Sequence, residues 1–245
     1  MSLRITLITA RRVLGQLISD RRTLALILVV PTVMIALIRY IMDSSPAIFD
    51  TVGLILLAAF PFMLMFMTTS ITLLRERTSG TLERLFTTPT AKGDLITGYA
   101  LAFGLAAAVQ SSLASLLAYT WLGLDTAGPA WAVVVTAVST ALFGMALGLF
   151  VSAFATTEFQ AMQFMPVFVV PQLFLCGLIW PRELMAEPLQ TVADVLPLTY
   201  AVKALHDVQQ EASVSSEYWG NVAIVVGATV VAIACGAATL HRRTR

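Results

Sequence analysis

Apolar residues in this chain run in long unbroken stretches. Six stand out, at residues 24–42, 52–74, 95–124, 130–155, 161–179 and 221–240. Stretches of about 20 apolar residues predict helices that cross a membrane. The roughly 10-residue alternating segments of a transmembrane barrel are missing. Two other segments are amphipathic. Over residues 1–20, Leu3, Leu7, Ala10, Leu14, Leu17 and Ile18 share one helical face, with Arg4 and Arg11 beside it and Arg12 further round. This predicts a helix lying along the inner membrane surface, its arginines reaching lipid phosphates. Over residues 180–220, Leu189, Val192, Ala193 and Leu196 form one face. Leu198, Ala201, Val202, Leu205 and Val208 form another, and Pro197 divides the two. These pieces are too short to cross and read as external interfacial or re-entrant helices.

The spans are not uniform. Pro31 and Pro61 interrupt spans one and two, and span two is rich in Phe and Met. Span three is long enough, at roughly 45 Å, to tilt or project into water. Its Gln110, Ser111, Ser112 and Ser115 should face another helix or a cavity. Gly144 and Gly148 in span four permit a close helix contact. Span five carries Pro166, Pro171, Gln163 and Gln172, and is the least regular. Its freed carbonyls need replacement partners, which a protein or cavity environment supplies better than lipid.

The most polar run is residues 75–94, RERTSGTLERLFTTPTAKGD. It joins spans two and three. Within it Thr81 to Phe86 can form a short helix, with Gly80 at its N-cap and Glu83 at the third helical position. Pro89 sets its limit. Leu82, Leu85 and Phe86 then make an apolar patch on a solvated element. Two readings are open: a docking surface for another protein, or the cap of a loop.

Composition agrees with the pattern. Of 245 residues 58% are hydrophobic and 12% charged, against about 25% charged in soluble domains. Cys176 and Cys235 both lie in apolar spans, so no disulfide framework is implied. The first 20 residues carry arginines throughout and do not read as a cleavable signal peptide. Net charge is +1, but its distribution is uneven. Arg4, Arg11, Arg12, Arg21, Arg22, Arg75, Arg77, Arg84, Lys92, Arg242, Arg243 and Arg245 fall on one side of a six-span map. Arg39, Arg182 and Lys203 fall on or near the other. Basic loops stay inside, so both termini are expected in the cytoplasm.

The chemistry that is missing narrows the function. No acidic residue sits in mid-span, and no inverted repeat with broken helices is obvious, which weighs against an ion-coupled carrier. No spacing of His, Cys or carboxylates suggests a metal. No nucleophile–base pair is readable, and no phosphate-binding glycine loop is present. Any energy for uphill transport must come from another chain.

The run RERTSGTLERLFTTPTAKGDLITGYAL resembles the hallmark loop of the membrane subunits of type-2 ABC exporters. The later run FLCGLIWPRELMAEPLQTVADVLPLTYAVKAL resembles the same family's segment after its fifth span, including a Leu-Pro-Leu-Thr-Tyr block at Leu196 to Tyr200. The likeness covers essentially the whole chain, and within the family it is most similar to daunorubicin-resistance drug-efflux permeases. Met185-Ala186-Glu187-Pro188 departs from the shorter Met-Pro step of many relatives.

The resemblance implies an all-α polytopic membrane protein with six transmembrane helices, working as a permease in the cytoplasmic membrane. Two copies, or one copy and a paralogue, would pair with two cytoplasmic ATPase subunits, which would bind the ATP and Mg; no cofactor is expected in this chain. Glu76 and the segment Gly80, Thr81, Leu82, Glu83, Leu85 and Phe86 would couple to the ATPase. Phe62, Phe66, Gln163, Phe168 and Gln172 would border the path of a hydrophobic or amphipathic substrate. Leu189, Val192, Leu196, Pro197 and Tyr200 would form an external gate. Membrane lipids are expected partners, and nucleic acid is not. A lipid-linked glycan exporter of the same family is the main alternative. A non-transporting scaffold would not need the coupling loop, and a secondary carrier would need no ATPase.

Overall fold

The computed structural model describes residues 3–81 and 92–239. Among the described residues regular structure is helical throughout. The helices are α1 (Leu3–Ser19), α2 (Arg21–Ile41), α3 (Pro46–Thr78), α4 (Lys92–Thr120), α5 (Ala130–Val151), α6 (Glu158–Phe168), α7 (Val170–Leu175), α8 (Glu187–Ala193), α9 (Pro197–Gln210) and α10 (Ser216–Thr239), with a 3₁₀ turn at Arg182–Leu184. Five of them, α2, α3, α4, α5 and α10, are long and apolar enough to cross a membrane.

The expected fifth span is in two pieces. Pro171 has no N–H to offer Val167, so α6 stops at Phe168 and α7 restarts at Val170. The chain holds its direction through Val169, whose amide donates to the Met165 carbonyl at 2.8 Å and whose carbonyl accepts from Leu173 at 3.1 Å. Pro31 and Pro61 are instead absorbed inside continuous helices. Helix α3 also starts earlier than expected, because Pro46 sits in its first turn, where a missing N–H costs nothing.

The core is built around α3 and α5. A β-carbon on Gly144 would lie 2.2 Å from the Phe62 carbonyl oxygen, and one on Gly148 would lie 2.4 Å from that of Phe66. Only glycine lets these two backbones approach so closely. The hydroxyl of Thr140 donates across the same interface to Ala58 O at 3.0 Å. Helix α10 closes the other side of α5. There the Tyr218 hydroxyl donates to Ala132 O at 2.8 Å and lies 3.2 Å from the Thr136 hydroxyl.

Helix α1 packs on the first half of α4, not on lipid alone. Its buried stripe is Thr6, Thr9, Ala10, Val13 and Leu17. Gly98 of α4 makes room for Thr9, whose β-carbon lies 2.6 Å from where a β-carbon of residue 98 would stand. The apolar face read from sequence is therefore split. Ala10 and Leu17 turn to protein, whereas Leu3, Leu7 and Ile18 remain exposed. Gln110, Ser111 and Ser115 of α4 are buried among helices, and Ser112 is exposed.

At the other end of the bundle the connections are tied to one another. Arg39 donates to Leu122 O at 2.9 Å and pairs with Asp43. The amide of Asp125 donates to Asp50 at 3.1 Å. The amide of Gly128 donates to Val208 O at 2.8 Å, which fixes the α4–α5 turn to α9. Leu198, Ala201, Val202, Leu205 and Val208 of α9 are all buried, as their shared face predicts.

Candidate functional site

The last turn of α3 carries two of the ion pairs found among the described residues. Three consecutive side chains there reach three different elements. Arg75 donates from Nε to Glu158 Oε1 at 2.6 Å and from Nη2 to Oε2 at 3.0 Å, gripping the first turn of α6. Arg77 donates to the Ser152 carbonyl at the end of α5, where unpaired carbonyls and the helix dipole favour a cation. Glu76 turns the opposite way, towards α1. Its carboxylate accepts from Arg12 Nη1 at 3.1 Å and Nη2 at 3.3 Å. Arg12 Nη2 also donates to the Tyr99 hydroxyl of α4 at 3.0 Å.

This cluster follows from helix geometry. Successive residues on a helix lie about 100° apart, so residues 75, 76 and 77 fan out to different neighbours. The Glu76 residue is only 6% exposed, and a carboxylate so placed needs a cation with matching geometry. The arginine fork supplies it in two parallel bonds. Tyr99 stacks on Phe103 and lies 5.9 Å from the Arg12 guanidinium carbon, so the charge is also covered by an aromatic face. The Glu158 carboxyl, outside the spans, is held below its usual range, first by the hydrogen bond from Arg75 and then by its charge.

Two expectations change here. Glu76, grouped with the docking residues, faces the protein's own α1. Arg12, expected at lipid phosphates, is the partner that satisfies it, because the buried stripe of α1 brings residue 12 against α3 and α4. Gly80 has φ +70° and closes α3 with its amide on Arg77 O, and Thr81 is already helical. Leu82, Glu83, Leu85 and Phe86, the rest of the expected coupling helix, lie outside the described residues.

The expected substrate-path residues separate into two groups. Phe62 and Phe66 are fully buried, and Phe62 stacks on Phe143 with ring centres 5.7 Å apart. They pack in one apolar cluster with Phe168 and Leu198 and do not line an open passage in the single chain. Gln163 is exposed. Gln172 is 4% exposed and does a structural task at the break between α6 and α7. Its Nε2 donates to the Phe168 carbonyl at 2.9 Å, and its Oε1 accepts from the Leu198 amide at 3.4 Å. The side chain thus gives the Phe168 carbonyl, at the end of α6, a partner and joins the broken helix to the start of α9.

The expected gate residues also divide. Pro197 opens α9 and Leu196 precedes it as N-cap. The Tyr200 hydroxyl donates to Asp194 O at 2.7 Å, and Arg182 pairs with the Asp194 carboxylate. Leu189 and Val192 are 46% and 49% exposed. They do not pack inward on their own chain; Ala193 takes the buried position of that helix.

The family described as ABC-2 type transporter matches residues 4–209. Curated relatives include the linearmycin resistance permease protein LnrN of Bacillus subtilis, 25% identical over 73% of this chain and 46% of the relative. The ABC transporter G family member 20 of Dictyostelium discoideum is 29% identical over 57% of this chain and 19% of its own length. The probable multidrug ABC transporter permease YbhR of Escherichia coli K12 is 25% identical over 66% of this chain and 41% of the relative. The chain therefore spans less than half the length of the relatives it matches.

Proposed function

Since the chain belongs to the ABC-2 type transporter family, we propose that it is a permease subunit of an ATP-driven exporter. It would carry hydrophobic or amphipathic compounds out across the cytoplasmic membrane. The permease names of the bacterial relatives support this reading, two of them being tied to linearmycin resistance or to multidrug transport. ATP would be bound and hydrolysed by a separate cytoplasmic ATPase, and a second permease copy or paralogue would complete the assembly. Six crossings, the fifth made by α6 and α7 together, would leave both termini in the cytoplasm.

The observation that carries the reading is the last turn of α3. The polar loop that follows Gly80 is tied, through Arg75, Glu76 and Arg77, to α6, α1 and α5. A force applied to that loop would be delivered to three helices at once. A loop that only caps two spans would have no use for such a linkage. ATP can shift the permease only through its different affinity for two arrangements of the assembly. The linkage offers a route by which those arrangements would differ in the membrane.

The test is purification from native membrane with identification of bound subunits, using the wild type and a Leu85→Ala, Phe86→Ala variant. Apolar anchors of this kind carry about 2 kcal/mol or more each, so ATPase association should fall more than tenfold while the membrane part stays folded. Undiminished association and transport would sink the coupling role. For the orientation, single cysteines at positions 92 and 203 in a background lacking Cys176 and Cys235 should react differently with an impermeant reagent on intact cells. Labelling at 92 but not at 203 would overturn it.

A further inference from the structure

The corner where α1 turns into α2 leaves a cavity of about 400 Å³ against the side of α3. It lies away from the cluster of Phe62, Phe66 and Gln172. Along α3 it runs from Leu64 to Glu76, a rise of roughly 18 Å. One leaflet of a bilayer has a hydrocarbon depth of roughly 15 Å. The two ends differ in chemistry. The deep end is walled by Ile27, Leu64, Met67 and Phe103, and the mouth by Asp20, Thr23, Thr72, Arg75 and Glu76, whose own charge is taken up by Arg12.

The mouth carries both signs of charge. Asp20 caps α2 by accepting from the Thr23 amide at 3.2 Å and hydroxyl at 2.6 Å. Those bonds, and more weakly Arg75, hold its carboxyl below its usual range, so it is ionised at neutral pH. It is exposed and forms no salt bridge among the described residues. Arg75 uses Nε and Nη2 on Glu158, which leaves Nη1 for a ligand. A purely anionic head would set its charge against Asp20, and a purely cationic one against Arg75.

We propose that this cavity binds one zwitterionic glycerophospholipid of the adjacent leaflet, an acyl chain inside, the ammonium at Asp20 and the phosphate at Arg75. The apolar depth accepts the acyl chain through packing contacts alone, because that chain is already out of water in the leaflet. The charged mouth selects the headgroup. Nothing in this depends on an ATPase partner, so the lipid site stands or falls separately from the transport reading.

The experiment uses the full chain in detergent with an equal mixture of phosphatidylethanolamine and phosphatidylglycerol, and native mass spectrometry to count retained lipids. The wild type should retain one phosphatidylethanolamine in preference. Thr68→Trp, which fills the cavity from the α3 side, should lower that retention at least tenfold. Asp20→Asn keeps the helix cap but removes the carboxylate, and should abolish the preference for ethanolamine. Equal retention of both lipids by the wild type would overturn the proposal. So would preference for phosphatidylglycerol, or retention that neither substitution alters. Thermal unfolding of each variant accompanies the count; if Thr68→Trp unfolds the chain, Ile71→Trp and the exposed Asp20→Asn decide the matter by the same criteria.

Discussion

Arg12 and Glu76 meet through two N–H···O bonds although 64 residues separate them. One sits on α1 and the other on the last turn of α3, just before the polar loop. With the Tyr99 hydroxyl on the same guanidinium, three helices share one charge pair.

Glu76→Gln should therefore cost about 1.5–3 kcal/mol, the range for hydrogen bonds to charged groups. Arg12→Gln should cost a similar amount, and Arg12→Glu with Glu76→Arg should recover part of the loss. Chemical denaturation of the detergent-solubilised chain would measure the two Gln variants, and Arg12→Glu and Glu76→Arg singly and together as one cycle. Strictly additive losses in the exchanged pair would show that the two residues do not act as a unit.

Gln172 is the second test position. Gln172→Leu keeps volume but leaves the Phe168 carbonyl and the Leu198 amide without the side-chain partners seen here. An unsatisfied buried group costs about 1–3 kcal/mol. The expected result is a lower unfolding midpoint and faster hydrogen exchange at the start of α9 than in α5. Unchanged exchange at Leu198 would contradict the role assigned to the amide.

Gly144→Ala and Gly148→Ala should each destabilise by about 1–3 kcal/mol through overpacking. The obstacles are the carbonyl oxygens of Phe62 and Phe66, which side-chain rotation cannot move aside. Gly227→Ala meets nothing within 4 Å and serves as the control, with little change expected. Equal midpoints for all three would argue against the close α3–α5 contact.

Asp207 on α9 gives a pH signature. Its carboxyl is raised above the usual range, first by burial, then by Glu217 and Glu211, against the opposing hydrogen bond from Asn221 and the nearby His206. Between the unfolded value of about 3.9 and the raised folded value, the folded chain holds the extra proton. Stability therefore falls as pH rises through that window. Asp207→Asn should be more stable than wild type at pH 7, and the difference should vanish below about pH 3.9. An Asn variant less stable at neutral pH would show that the carboxylate is favourably held after all.

Much of the helical content was legible because lipid allows few solutions. A backbone in hydrocarbon must satisfy its own hydrogen bonds, so a run of apolar residues near 20 in length reads as a helix. The buried face of α9 was legible for the related reason that its period is 3.6 residues. The face of α1 was legible only in part. Leu3, Leu7, Ala10 and Leu17 are all apolar, and the seating of α1 on α4, close where Gly98 meets Thr9, leaves Ala10 and Leu17 against protein and Leu3 and Leu7 exposed.

The order of apolar and polar residues already marks this chain as a helical membrane protein with a basic, polar loop after its second long apolar run. Its loop and its Leu196 to Tyr200 block already resembled the family to which it belongs. The tertiary structure decided the partners: Arg12 with Glu76, Arg75 with Glu158, Gln172 with Leu198, and Gly144 with the Phe62 carbonyl. It also decided that Phe62 and Phe66 are packing residues within the chain. The reason is physical. Hydropathy is a property of single residues summed over a window, whereas a salt bridge or a close backbone contact depends on where two distant segments stand in space.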